Sequence, residues 1–350
     1  MKRLVILVVA ICMLMAIIVT GCGESAGSKG HVNVYNWGEY IDKDIFRIFE
    51  RETGIKINYF EYQSNEELYS LLKLGGASVD VIIPSDYMIG RLIDEGMLEE
   101  LDFSNIPNFS LIDTMYKNLE FDPNNKYSVA YMTGTVGLIY NSSMITDNIT
   151  SWSSLFDERY SGQILMFDNP RDAFGIALKY LGFSQNTVNE DEIRAAFDLL
   201  VAQKPLLQAY VMDQIFFKLE SGEAAIGPYY AGDYLFMYEN NEDLVFVRPV
   251  EGSNFFVDSM CIPRGAANKE NAEIFINFMT RTDIALMNME EIMYASANFE
   301  AAAEFAEELE PWEYEIMFAS AEVLANCDVF THLPAHILSL YDQLWIELKR

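Results

Sequence analysis

Between His31 and Gly96 the chain switches repeatedly between the hydrophobic period of a strand and that of a helix, and this alternation leaves few folds open to it. "HVNVYN" reads as a strand. "DKDIFRIFERETG" has apolar residues at 45, 46 and 49 and a stop at Gly54, and so predicts a helix. "IKINYFEY" alternates as a strand, and Ser64 with Glu67 has capping-box spacing at the head of the helix "NEELYSLLKLG". "VDVIIPS" (Val79 to Ser85) reads as a buried strand, followed by the helix "DYMIGRLIDEG". This order implies a parallel sheet covered on both faces. Ligands of such sheets bind at the carboxyl ends of the strands. "NWGEY" and "PSDY" are two of those ends.

A long, apolar, glycine-punctuated stretch, "YSVAYMTGTVGLIYN" (Tyr127 to Asn141), then predicts an extended crossing from one lobe to another. A second α/β unit follows: "GQILMFDNPRDAFGIALKYLG", helices over about 190–203 and 214–221, and "AAIGPYYAGDY" as a strand. "NFFVDSMCIP" (Asn254 to Pro263) reads as a second crossing, followed by the helix "NKENAEIFINFMTR" and an acidic helical region. Two α/β units joined by two extended segments predict two lobes with a hinge. No internal repeat or low-complexity tract stands out beyond a short tether.

The N-terminus is a separate segment. "MKRLVILVVAICMLMAIIVTGC" has a basic start, a long apolar run and then Val19-Thr20-Gly21-Cys22, the pattern of a lipoprotein signal in which Cys22 becomes the lipidated terminus. The rival reading is an uncleaved membrane anchor, since Leu4 to Val19 nearly suffices to span a bilayer. Residues 1–21 are thus expected to be a signal peptide and 22–30 a lipidated Cys with its tether, holding the fold outside the cytoplasm at a membrane surface. The remaining 320 or so residues are enough for two cores. Losing Lys2 and Arg3 with the leader leaves 21 basic against 53 acidic residues, a formal charge of −32. Nucleic acid is therefore excluded as a partner and a cationic small ligand favoured. Cys261 and Cys327 remain, either as a disulfide or as two free thiols.

Catalytic signatures fail in context. Gly23-Glu24-Ser25-Ala26-Gly27 matches GxSxG but lies in the tether, without the strand and helix a nucleophile elbow needs. His332 and His336 have zinc-ligand spacing, but Pro334 lies between them and the chain holds only three His. Paired acids such as Asp168 and Asp172 suit a glycosidase, yet they are two among 53. No metal or cofactor is expected. What recurs is an acid beside aromatics at strand or hinge ends: Trp37/Glu39/Tyr40, Ser85/Asp86/Tyr87, Tyr229/Tyr230/Asp233 and Phe255/Phe256/Asp258. Each alone is more simply a core aromatic beside a solvated acid. Asn169 before Pro170 also reads as a helix N-cap, with Asp172 in the first turn. Together they suit a flexible alkyl chain carrying ammonium groups, which needs flat apolar walls, cation–π faces and a few fixed carboxylates.

The stretches "YNWGEYI", "FERETGIKINYFEYQSNEELYSLL", "VDVIIPSDYM", "EGMLEELD", "LEFDPNNKYSVAY", "TSWSSLF", "GFSQNT", "FVDSMCIP", "NKENAEIFINFM" and "LYDQLWIELK" give the chain a resemblance over nearly its whole mature length. It resembles the spermidine/putrescine-binding proteins of bacterial ABC polyamine importers. The resemblance implies a type II periplasmic-binding-protein fold: two α/β lobes joined by a two-segment hinge, closing over a polyamine that is handed to a membrane permease. The expected lobes are 31–134 plus 257–302 and 135–256 plus 303–350, in a monomer that performs no catalysis. The implied aromatic walls are Trp37, Tyr40, Tyr87, Tyr230, Phe256 and Tyr294. The implied carboxylates are Asp258 for a central amine and Asp172 for a terminal one, with Glu39 and Asp86 as further candidates. Ser85, Asn169 and Thr331 complete the set. Tyr230 and Phe256 stand where the family often has Trp, and Asn169 where it often has Asp. Two other readings stay open: the same fold binding a different small ligand, and a secreted carbohydrate-active enzyme.

Overall fold

A computed structural model of the protein describes residues 30–75 and 77–350. The signal peptide, Cys22 and the tether up to residue 29 lie outside the described residues. The first α/β unit comprises β1 (His31–Trp37), a helix over Ile45–Thr53, β2 (Lys56–Tyr62), a helix over Asn65–Leu74, β3 (Val81–Ile82) and a helix over Asp86–Asp94. Val32 and Val34 of β1 are wholly buried. Ile45 and Phe49, one helical turn apart, pack into the core, and Gly54 ends that helix at φ 74°, a conformation that side chains resist. Ser64 Oγ accepts from the Glu67 amide at 3.1 Å. The Glu67 carboxylate reaches back to the Gln63 amide at 2.8 Å, one residue short of a closed capping box. β3 is shorter than the run Val79 to Ser85 predicts, because Ser85 already caps the next helix.

The second unit repeats this plan. β4 (Ser128–Asn141) leads into β5 (Ile164–Phe167), helices over Pro170–Tyr180 and Glu190–Gln203, β6 (Leu207–Val211), a helix over Gln214–Glu220, β7 (Ile226–Tyr230) and a helix over Ala231–Asn240. The sequence reading carried a strand through "AAIGPYYAGDY"; instead the strand stops at Tyr230, where a helix with Asp233 in its first turn takes over. β8 (Leu244–Val247), β9 (Ser253–Cys261), β10 (Ala295–Ser296) and β11 (Cys327–Asp328) complete the strands, and helices cover 269–279, 282–292, 299–306 and 335–349.

The strand order is β2-β1-β3-β9-β4-β7-β5-β6, with β8 and β10 paired to β4 and β11 to β9. β1 runs parallel to β2 and β3, and β5 runs parallel to β6 and β7. The two units therefore share one topology, with the first strand of each between its second and third, although no repeat is visible in the residues. β9 and β4 pair antiparallel between them, so the sheet is mixed rather than wholly parallel. Both belong to both halves, as the two extended crossings require. The fold is the α/β type II periplasmic-binding-protein architecture. Cys261 and Cys327 are both free, Cys261 fully buried.

Candidate functional site

All six parallel-strand ends of the two units open on one cleft. Its lining draws on Trp37 to Tyr40 after β1, Tyr62 to Asn65 after β2 and Ser85 to Tyr87 after β3. From the second unit come Asn169 and Asp172 after β5, Met212, Asp213 and Phe216 after β6, and Tyr229, Tyr230 and Asp233 around the end of β7. β9 adds Asn254, Phe256 and Asp258 from the crossing, and Tyr294 and Phe330 close the remaining sides. These side chains face one another across a single cleft. It carries ten aromatic rings and six carboxylates, and no Lys, Arg or His.

The first wall is set by a tight turn. The Asn36 amide donates to the Tyr40 carbonyl at 3.1 Å, and Glu39 sits at φ 46°, a left-handed value that non-glycine residues seldom adopt. A Cβ at Gly38 would fall 2.8 Å from Asp213 Oδ2 across the cleft, so a side chain there has to displace that carboxylate. Trp37 is half-buried, its indole N–H donating to the Ile83 carbonyl at 2.8 Å and its ring 4.8 Å from Tyr62. Tyr40 stands edge-on to Tyr294 at 5.1 Å; Tyr230 stands edge-on to Phe256 at 5.5 Å. These are the edge-to-face packings aromatic quadrupoles favour, and they leave ring faces for a ligand.

The acids differ in how they are held. Asp258 is 5 % exposed; Tyr40 Oη donates to its Oδ2 at 2.8 Å, and its Oδ1 is buried without a partner. Burial pushes its pKa up to about 6, against the pull of Ser85 and Tyr40 beside it. Asp172 accepts from Tyr230 Oη at 3.3 Å and is raised by burial, then by the Glu66 charge, to about 7. Asp233 accepts from Tyr294 Oη at 2.8 Å and is raised by burial to about 8. Asp213 accepts from Tyr229 Oη at 3.0 Å. A buried carboxylate with an unpartnered oxygen costs several kcal/mol unless a cation or proton meets it. Asp258 is such a group, and Asp172 and Asp233, raised by burial in the same cleft, add to its demand for positive charge.

Twelve of the thirteen expected site residues line this cleft; Thr331 does not. Its backbone amide donates to Asn186 Oδ1 at 2.9 Å, and its neighbour Phe330 lines the cleft. Asp86 lines the cleft, but both its oxygens are engaged by backbone amides, Oδ1 by Tyr87 at 2.7 Å and Oδ2 by Val257 at 3.4 Å. It ties the first unit to the crossing strand. Asn169 is the helix N-cap, its Oδ1 accepting from the Arg171 amide at 3.0 Å. Asp213 and the Tyr62–Asn65 turn line the cleft beyond the residues the resemblance implies, as do Tyr229 and Asp233, to which the acid–aromatic pattern points. Asp213 in "VMDQIFF" follows a strand and precedes a helix, the same kind of strand end as "NWGEY".

Residues 77–315 match the family model of the bacterial extracellular solute-binding proteins, and residues 1–126 match that of a hypothetical lipoprotein family. The spermidine/putrescine-binding periplasmic protein of Escherichia coli is 33 % identical over 317 residues, 90 % of each chain. A solved structure from Listeria monocytogenes, assigned to a spermidine/putrescine ABC transporter, is 38 % identical with a TM-score of 0.86 over 91 % of this chain and 98 % of that one. The spermidine/putrescine ABC transporter substrate-binding protein of Streptococcus pneumoniae is 33 % identical with a TM-score of 0.76 over 92 % and 99 %. With a family model matched over most of its length and relatives of this identity end to end, the chain belongs to the bacterial extracellular solute-binding proteins, in the family of the spermidine/putrescine-binding periplasmic proteins.

Proposed function

We propose that the protein is the extracytoplasmic receptor of an ABC importer, binding spermidine or putrescine in the cleft and delivering it to a membrane permease. One observation carries this reading: six carboxylates and ten aromatic rings line a cleft that holds no basic side chain. Helix N-termini do open on the cleft, but each carries an acid in its first turn, Asp86, Asp172 or Asp233, where an anion receptor would add Arg or Lys. The methylene chain lies between the rings of Trp37, Tyr40, Tyr230, Phe256 and Tyr294. The free Oδ1 of Asp258 takes a central nitrogen, Asp172 a terminal one, and Asp213 and Asp233, with Glu39 at the rim, the other end. Ser85 and Tyr87 shape the wall between them. Each cation–π contact contributes about 0.5–2 kcal/mol, so several are needed for micromolar binding, about −8 kcal/mol.

The lobes we assign are 31–134 with 257–302 and 135–256 with 303–350, hinged where Met132 to Thr135 pair with Phe255 to Asp258. Cys22 is the lipid anchor, holding a monomeric receptor at the outer face of a membrane. The test is calorimetry on the purified protein, unfolded and refolded to strip ligand, titrated with putrescine, spermidine and spermine. Micromolar or tighter binding of at least one amine supports the reading; no heat with any of them overturns it.

A further inference from the structure

Arg171 carries a buried charge outside the cleft lining; burial raises the cleft acids Asp172 and Asp86, and the Arg171 charge pulls against that. Arg171 is 3 % exposed, and no carboxylate lies within ion-pair distance of it among the described residues. Only Nη2 is bonded, to Asn186 Oδ1 at 3.1 Å and the Thr331 carbonyl at 3.5 Å; Nε and Nη1 are buried without partners. The guanidinium instead lies over three rings, Phe330 at 4.5 Å, Tyr87 at 5.2 Å and Tyr341 at 5.7 Å. Two of these, Phe330 and Tyr87, are walls of the cleft. Arg171 therefore backs the cleft from outside, at the end where Asp172, the next residue of the same helix, faces in.

Behind that wall is a smaller space lined by Arg171, Glu66, Tyr87, Tyr341, His332 and Asp342 among others. Tyr87 lines both spaces and is part of the partition between them. Its hydroxyl donates to Glu66 Oε1 at 3.0 Å, which leaves Glu66 Oε2 buried and unpartnered on the far side. Two acids, one with a free oxygen, thus stand directly beyond the Asp172 end. They would suit a further ammonium if a fixed positive charge did not stand with them.

Building on the amine-binding reading, we propose that Arg171 is a specificity-determining residue that ends the cleft at Asp172 and so sets the longest amine it accepts. Its bulk holds the Tyr87 and Phe330 rings as an end wall, and its charge repels any nitrogen that would pass Asp172. Diamines and triamines stop short of it. A tetraamine, one aminopropyl unit longer than spermidine, has to leave an ammonium against the guanidinium or lose its register on Asp258.

Calorimetry of the purified protein with putrescine, spermidine and spermine tests this on the wild type, Arg171→Ala, Arg171→Met and Arg171→Lys. Arg171→Ala opens the partition toward Glu66 and Asp342, and the ratio of spermine to spermidine affinity is expected to rise about tenfold or more. Arg171→Met keeps bulk against the rings without the charge and is expected to shift the ratio the same way by less. Arg171→Lys restores the charge and is expected to return it toward the wild-type value. A loss of affinity shared equally by all three amines, or no change, in both the Ala and Met variants overturns the proposal; where the Ala variant does not fold, the Met variant decides. If the wild type binds none of the amines, the functional reading itself fails, and that titration tells the two failures apart.

Discussion

The hydroxyl of Tyr40 donates to Asp258 Oδ2 at 2.8 Å, joining the turn after the first strand to the strand that crosses between the halves. The bond fixes the carboxylate so that its other oxygen, Oδ1, is the one left free. That orientation makes Asp258 the most exacting position in the cleft. Asp258→Asn preserves the shape and the Tyr40 bond but presents an amide where an ammonium needs an anion. Spermidine affinity is expected to fall by more than about 2 kcal/mol, roughly 30-fold. Titration calorimetry reads this directly; wild-type affinity in the variant would remove Asp258 from the site.

Trp37 joins two tasks. Its ring forms a cleft wall, and its indole N–H donates to the Ile83 carbonyl at 2.8 Å. That carbonyl also accepts from Tyr62 Oη at 2.7 Å, so it keeps a partner when the indole is removed. Trp37→Ala is therefore expected to lower the melting temperature of the ligand-free protein by only a few degrees while weakening amine binding about tenfold or more. A large fall in melting temperature with unchanged affinity would return Trp37 to the core.

Gly134 pairs with Phe256 across β4 and β9, and a Cβ there would stand 2.7 Å from Phe256 Cζ and 3.4 Å from Tyr294 Cδ1. The near atoms belong to rings that can turn, and the direction open to Phe256 is into the cleft. Gly134→Ala is expected to fold and to bind amine about tenfold more weakly, because the wall narrows against the methylene chain. Unchanged affinity in a folded variant would mean that the rings relax away from the ligand.

The chain's periodicity carries most of the frame. Helix 45–53 with its Gly54 stop, the Ser64 cap and the two crossings can all be read from residues, because each is set locally by spacing, a cap or a run of apolar side chains. The matching topology of the two units cannot, since strand order depends on contacts between distant segments that leave no shared residue pattern. Within the cleft, Trp37 and Asp258 carry aromatic and acidic signals together. Asp86 carries the same signal and yet spends its oxygens on the Tyr87 and Val257 amides, a use that only the meeting of two segments reveals. Asp213 sits at a strand end of the same kind, but only the packing of β6 places it opposite Gly38.

The three raised carboxylates make binding pH-dependent, with a sign that can be worked out. Asp258, Asp172 and Asp233 stand at about 6, 7 and 8, against about 3.9 in an unfolded chain. Between pH 4 and 8 the folded, ligand-free protein therefore holds more protons than the unfolded one, and its stability falls as pH rises. Ammonium groups reverse this, because they favour the ionised carboxylates and lower their pKa values on binding. Amine affinity is thus expected to rise from pH 5.5 to pH 8 by about tenfold or more, with protons released on binding near pH 7. Calorimetry in two buffers of different ionisation enthalpy measures that release, and melting curves should show the ligand-free protein weakening over the same range while the protection given by spermidine grows. An affinity flat from pH 5.5 to 8, with no proton released, would mean that these carboxylates are ionised before the ligand arrives and that burial does not hold them neutral.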